Sequence, residues 1–134
     1  WPVQNWCELI SLFLEQGNMK LMIVGGETEI QKVRHLRNRI NESRLRVLLN
    51  EPLTYVAHKL AACCAFVGHD SGITHLAAAL GIPCVVLWAK TNEKVWQPIG
   101  ERVKILKGSG GVTMIKPHTV IEAVNEIRLP IDKA

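Results

Sequence analysis

The chain lacks long apolar runs and any segment built like a signal peptide. None of its hydrophobic stretches approaches the roughly 20 residues that a membrane-spanning helix needs. Its first residues do not form the basic, apolar and small-residue series that directs secretion. These absences favour a cytoplasmic protein. A hydrophobic content of 48% with 21% charged residues is typical of a folded globular protein, and 134 residues are enough for one domain.

Cysteine is scarce, and its arrangement excludes the common zinc and redox motifs. No two cysteines are spaced as Cys-x-x-Cys, and all fall in apolar segments. We therefore expect free, buried thiols, no metal site and no cofactor. The four cysteines are Cys7, Cys63, Cys64 and Cys84.

The excess of one charge sign is small. The 16 lysines and arginines outnumber the 12 aspartates and glutamates by four, and much of the positive charge lies between Lys32 and Arg46. Aromatic residues make up only 5% of the chain, and none interrupts this basic stretch to stack on bases. We expect no nucleic-acid partner. Basic helix faces are usually solvated, although such a face would favour peripheral association with an anionic membrane.

Two familiar site motifs are also absent. Gly25-Gly26 follows the first apolar run, but the sequence does not continue as the Gly-x-Gly-x-x-Gly fingerprint of dinucleotide-binding proteins. The Gly-x-Ser-x-Gly elbow of α/β-hydrolases is missing. A hydrolase using Ser71, Asp70 and His69 or His75 is therefore disfavoured, because adjacent Asp and Ser residues do not readily form a triad through an intervening histidine.

What the chain does contain is a regular alternation of short apolar runs and helical patterns. This alternation predicts an α/β fold, with a Rossmann-like, doubly wound parallel sheet of about five strands. The predicted strands are residues 20–24, 45–49, a run ending at 68, 84–88 and 103–106. The predicted helices are residues 6–16, 30–40, 52–61, 74–80 and one that starts at 117.

Polar turns follow four of the predicted strands. Because the carboxyl ends of parallel strands meet at one edge of a sheet, we expect these turns to lie together where ligands bind. The turns are Gly25-Gly26-Glu27, Asn50-Glu51, Asp70-Ser71-Gly72 and Ala89-Lys90-Thr91.

The Asp70-Ser71-Gly72 turn is the strongest candidate for a binding site. It precedes a helix whose first N–H groups would attract an anion, and phosphate is the ligand expected there. Gly72 would let the backbone approach closely, Ser71 and Thr74 would add hydroxyls, and Asp70 could cap the helix or accept a hydrogen bond from a sugar hydroxyl. Ordinary helix capping explains the same residues equally well. Gly81 is expected to end the helix in the left-handed conformation.

A second candidate lies after the first strand. Gly25 and Gly26 would allow close approach of a ligand, and Glu29 would face a ribose hydroxyl. The alternative for Glu29 is an ordinary acidic residue in the first turn of a helix.

The stretch from Asp70 to Pro83, Asp-Ser-Gly-x-x-His-Leu-Ala-Ala-Ala-Leu-Gly-x-Pro, resembles the heptosyltransferase family, the ADP-heptose:lipopolysaccharide transferases. His75 favours this branch over related sugar transferases and epimerases. The likeness extends along most of the chain, since Trp96-x-Pro98 and Ile115-x-Pro117 occur in the order found in the family.

The resemblance implies one half of a two-domain GT-B glycosyltransferase. Residues 1–134 would be the nucleotide-sugar domain, and about as many residues carrying the acceptor domain would precede Trp1. Asp70, Ser71, Gly72 and His75 would contact the diphosphate and sugar of the donor, and Glu29 its ribose, without a metal. The catalytic base would come from the missing domain, so this chain alone would have no catalytic residue and no turnover.

One departure from the family concerns the turn after residues 84–88. Many relatives have Gly-Pro-Thr where this chain has Ala89-Lys90-Thr91, and Lys90 would contact a phosphate or point to solvent. The implied function is donor binding in an inverting transferase that moves heptose from ADP-heptose to the lipopolysaccharide inner core, at the inner face of the inner membrane. The alternative is a non-catalytic nucleotide or nucleotide-sugar binding module.

Overall fold

The computed structural model describes residues 1–130 and divides the chain into two compact units. The first unit is Trp1–Val56, and the second begins at Ala57. Both alternate helices with parallel strands, which confirms the predicted α/β class. No helix within residues 1–130 is long and apolar enough to cross a membrane.

The first unit is built on a pair of parallel strands. Leu21 lies opposite Leu45, and the pairing continues to Gly25 opposite Leu49. Ile10, Leu36 and Leu45 form a buried cluster that joins the helices to this pair. Its elements are α1 (Val3–Glu15), β1 (Leu21–Gly25), a 3-10 turn (Glu27–Glu29), α2 (Ile30–Arg39) and β2 (Leu45–Leu49). Helix α3 (Leu53–Leu60) contains the boundary between the units.

Two arginines of the basic stretch donate hydrogen bonds to backbone carbonyl groups instead of extending into solvent. Arg37 Nη1 donates hydrogen bonds to the carbonyl oxygens of Leu45, at 2.7 Å, and Glu42, at 3.1 Å. Arg44 pairs with Glu42 at 3.3 Å and donates to the Leu14 carbonyl. Part of the positive charge between Lys32 and Arg46 is therefore used to fix the loop between α2 and β2.

The second unit contains a three-stranded parallel sheet. Its middle strand is buried along its whole length, as an apolar strand between two neighbours should be. The elements are β3 (Phe66–His69), α4 (Gly72–Ala79), β4 (Cys84–Trp88), α5 (Glu93–Trp96), β5 (Val103–Lys107), a 3-10 turn (Val112–Met114) and α6 (Pro117–Ile127). Helix α4 packs against β3 and β4, and α6 packs against β4 and β5.

The five strands are hydrogen-bonded into two sheets, β1-β2 and β3-β4-β5, where the sequence predicted one. No strand described in residues 1–130 is hydrogen-bonded to both of them.

The structure agrees with some of the predictions for single residues and short segments and differs from others. Gly81 has φ +80°, which confirms the left-handed end of α4. All four cysteines are free, but only Cys84 is buried; Cys7, Cys63 and Cys64 are half-buried because their helix and loop segments leave one side open. Helix α5 is a single turn capped by Asn92, within a segment that the sequence predicted as loop.

Candidate functional site

The turn between β3 and α4 consists of Asp70 and Ser71. Ser71 is the N-cap of α4, with extended backbone (φ −150°, ψ 164°), and no side chain caps the helix. The N–H groups of Gly72 and Ile73 begin the helix and have no carbonyl partner in a preceding helical turn. Gly72 is exposed, and a side chain there would meet no atom within 4 Å. The helix therefore presents a partial positive charge at an open surface.

Thr74 holds this turn from beneath. Its side chain is fully buried, and its hydroxyl donates a hydrogen bond to the His69 carbonyl and lies 3.2 Å from the Ser71 hydroxyl. Gly68 makes room for that hydroxyl, since a Cβ there would lie 2.9 Å from Thr74 Oγ1 and 2.6 Å from the Phe66 ring. Gly68 was not predicted as a site residue, although a glycine inside an apolar strand is a known sign of close packing.

Asp70 brings together two further side chains. Thr91 donates a hydrogen bond from Oγ1 to Asp70 Oδ2 at 2.9 Å, and His75 Nε2 lies 3.9 Å from Asp70 Oδ1. The Asp70 side chain is 25% exposed and that of His75 is 45% exposed, so a ligand can reach both. Lys90, next to Thr91, is exposed. The predicted meeting of the turns after β3 and β4 is thus confirmed.

The candidate residues of the first unit form a separate local arrangement. Glu29 accepts a hydrogen bond from the Thr28 hydroxyl at 2.7 Å and another from the Gly26 N–H at 2.8 Å. These bonds, the Thr28 bond foremost, lower the pKa of Glu29 below its ordinary value. The carboxylate bonds back to the N-cap residue Gly26 of the 3-10 turn and remains exposed.

The two glycines of this unit have different surroundings. A Cβ on Gly25 would lie 3.1 Å from Glu29 Cβ and 3.2 Å from Leu49 Cδ2, so its small size is used for packing. Gly26 is exposed and would meet only the tip of Glu29. Asn50 N donates to the Gly25 carbonyl at 2.9 Å, which confirms that the turns after β1 and β2 lie together. The prediction that all four turns converge stays a prediction.

The groups around the N-terminus of α4 suit recognition of a ligand. Backbone N–H groups and the Ser71 hydroxyl suit an anion, while Asp70 suits a hydroxyl donor. Within residues 1–130, no group of three or more His, Cys, Asp or Glu side chains could hold a metal ion.

Comparison with known sequences gives this arrangement its context. Residues 1–116 match the sequence model of glycosyltransferase family 9 (heptosyltransferase). The chain belongs to this family. It is 26% identical to lipooligosaccharide heptosyltransferase 2 of Haemophilus influenzae, over 95% of this chain and 42% of that protein. It is 23% identical to lipopolysaccharide heptosyltransferase 2 of Escherichia coli K12, over 98% of this chain and 38% of that protein.

Solved family 9 structures share its fold. The E. coli heptosyltransferase WaaC with ADP superposes with a TM-score of 0.83 at 25% identity, over 94% of this chain and 39% of that one. A family 9 glycosyl transferase from Veillonella parvula gives a TM-score of 0.84 at 20% identity, over 95% of this chain and 41% of that one. The family 9 chain described here thus spans about two fifths of the relatives that it matches.

Proposed function

We propose that residues 1–134 are the donor-binding domain of an inverting GT-B glycosyltransferase, and that the donor is ADP-heptose and the acceptor the lipopolysaccharide inner core. The observation that carries this proposal is the uncapped N-terminus of α4 beside the partly exposed Asp70 and His75. A structure that aligns with 94% of this chain was solved with ADP, and the relatives named above are heptosyltransferases.

Each candidate residue receives a role from its surroundings. The N–H groups at Gly72 and the Ser71 hydroxyl would hold the diphosphate, and His75, one turn into α4, would add a further donor. Asp70 would accept a hydrogen bond from a hydroxyl of the sugar. Thr74, being buried, would serve by holding the turn.

The remaining predicted residues would act at the edges of the donor. Lys90 is exposed beside the Asp70–Thr91 contact and would add positive charge near the diphosphate. Glu29 would accept from a ribose hydroxyl through the lone pairs that its capping bonds leave unused, with Gly26 exposed beside it.

The chemical step would use this chain for leaving-group stabilisation. An acceptor hydroxyl attacks the anomeric carbon, the glycosidic bond to the diphosphate breaks, and ADP departs with the bonding electrons. The helix dipole and N–H groups of α4 would stabilise the charge that develops on the departing diphosphate, without a metal. The base that takes the acceptor proton would lie in the acceptor domain, outside residues 1–134.

The proposal is tested by titrating the chain with ADP, ADP-heptose, UDP and a UDP-sugar while NMR spectra are recorded. This measurement detects binding with dissociation constants as weak as millimolar. We expect a preference for the adenine nucleotides. Asp70→Ala should weaken ADP-heptose binding about tenfold, the loss expected when a hydrogen bond to a charged group is removed. His75→Ala should weaken both ADP and ADP-heptose.

His118→Ala is the matched control, because His118 is an exposed helical histidine on α6, with a side chain that is 74% exposed. It should leave nucleotide binding unchanged. Absence of any nucleotide binding would overturn the proposal. Binding of ADP and UDP compounds with equal affinity would instead favour a general nucleotide-binding module.

A further inference from the structure

We propose that Thr91 is a positioning residue for donor recognition, which holds the Asp70 carboxylate so that one of its oxygens faces the sugar. This inference rests on the proposed function of the Asp70 turn. Its starting point is the 2.9 Å hydrogen bond that Thr91 Oγ1 donates to Asp70 Oδ2 across the ends of two neighbouring strands.

Thr91 is itself anchored from one side by the core. The Trp88 indole N–H donates a hydrogen bond of 2.7 Å to the Thr91 carbonyl. Trp88 ends β4, the middle strand of its sheet, and is only 2% exposed. A buried ring in a close-packed core has little freedom to move, so its N–H is a fixed point for the exposed residue.

The other side of Thr91 is anchored by α5 and β5. The Asn92 side chain accepts a hydrogen bond of 3.1 Å from the Lys94 N–H and so caps α5. Glu93, the first residue of that helix, forms an ion pair with Lys107 at the end of β5. Thr91 therefore lies between two fixed neighbours, and neither anchor involves Asp70. The Thr91 backbone is thus held independently of Asp70, so that the hydroxyl can position the carboxylate.

The consequence for Asp70 is that its two oxygens have different surroundings. Oδ2 accepts from Thr91, while Oδ1 lies on the side of His75, 3.9 Å from Nε2. A hydrogen bond from a hydroxyl to a carboxylate is stronger than one between neutral groups, and it restricts rotation of the carboxyl group. Binding of a sugar hydroxyl to Oδ1 then loses less side-chain entropy than it would with a freely rotating carboxylate.

The test compares Thr91→Val with Thr91→Ser. Valine keeps the shape and removes the hydroxyl, while serine keeps the hydroxyl. We expect Thr91→Val to weaken ADP-heptose binding about tenfold and to leave ADP binding within about twofold, because ADP lacks the sugar that Asp70 would contact. Thr91→Ser should bind both ligands within about twofold of the unchanged chain. Thr119→Val, at an exposed position of α6, is the matched control and should change neither.

A purely structural role would weaken ADP and ADP-heptose binding together, and that result would overturn the inference. So would serine and valine variants that bind ADP-heptose equally well.

A ligand-free measurement separates this inference from the proposed function. The urea midpoints of Thr91→Val, Asp70→Asn and the double variant should be non-additive if the two side chains interact in solution. Additive shifts would overturn the inference even if nucleotides bind. If neither ADP nor ADP-heptose binds, the proposed function fails, and donor positioning by Thr91 fails with it. If ADP-heptose binds the unchanged chain and the Thr91→Val variant equally well, only this inference fails.

Discussion

The buried hydroxyl of Thr74 donates a hydrogen bond to the carbonyl oxygen of His69, the last residue of β3. This bond ties the end of the strand to the first turn of α4 and so determines where Asp70 and Ser71 lie. The turn that we propose for donor binding is thus shaped by a residue that solvent does not reach.

The first prediction concerns this bond. Thr74→Val should destabilise the chain by about 1–3 kcal/mol, because it removes the buried donor while keeping the side-chain volume. Thr74→Ser should be less destabilising, since it retains the donor and removes only a methyl group, worth about 1 kcal/mol. Urea denaturation measures both. The control Thr119→Val should stay within about 0.5 kcal/mol of the unchanged chain. A valine variant at least as stable as the serine variant would contradict the role of the hydroxyl.

The second prediction concerns Gly68. Gly68→Ala should cost about 1–3 kcal/mol, because the added Cβ would lie 2.6 Å from the Phe66 ring and 2.9 Å from Thr74 Oγ1. Gly72→Ala is the matched control, since a Cβ there meets no atom within 4 Å and alanine is the better helix former. We expect Gly72→Ala to be neutral or slightly stabilising in the same denaturation experiment. Equal stability of the two variants would show that the side chains around Gly68 move readily to accommodate the added methyl group.

The third prediction concerns Glu29 and acid. Hydrogen bonds from Thr28 and Gly26 lower the pKa of Glu29 from its ordinary value of 4.5. Its stabilising contribution is therefore fully present above 4.5 and is lost as the pH falls through the lowered folded-state pKa. Glu29→Gln should remove that part of the acid sensitivity. Unfolding free energies should be measured from about pH 7 to about pH 3 for the unchanged chain and for Glu29→Gln. The difference in unfolding free energy between them should become smaller as the pH falls.

Glu27→Gln serves as the control for this effect, because Glu27 lies in the same exposed 3-10 turn, whereas the Gly26 N–H donates to Glu29. It should follow the unchanged chain at every pH. If the loss of unfolding free energy in Glu29→Gln were the same at every pH, the result would argue against a stabilising contribution from the ionised Glu29 carboxylate.

The fourth prediction concerns thiol reactivity. Burial raises the pKa of the Cys84 thiol to about 11, and the thiol donates a hydrogen bond to the Ile82 carbonyl at 3.1 Å. Alkylation requires the thiolate, so Cys84 should be the last cysteine to react with iodoacetamide at about pH 8. Peptide mass spectrometry should find the half-buried Cys7 and Cys64 modified before Cys84, and Cys84 modified only after urea is added. Alkylation of native Cys84 as fast as Cys7 would contradict its burial.

Strong local patterns were sufficient to predict much of the fold. Strands β2 and β4 have the bounds that the sequence predicts, because each is a short apolar run between polar or helix-ending residues. Helix α5 was not predicted, since one turn is too short to show helical periodicity and depends on the Asn92 cap. The split into two sheets was also not predicted, because runs of apolar residues indicate strands without indicating which strands pair.

The sequence by itself determined the α/β alternation, the Asp70-Ser71-Gly72 turn and the family, because each is written in residues that are close along the chain. Only the tertiary structure decided that Thr91 contacts Asp70, that Trp88 anchors Thr91, and that Thr74 faces inward. Thr91 and Asp70 are 21 residues apart, and they meet because β3 and β4 pair in parallel and end at the same edge. Strand pairing is set by long-range packing, which no local pattern records.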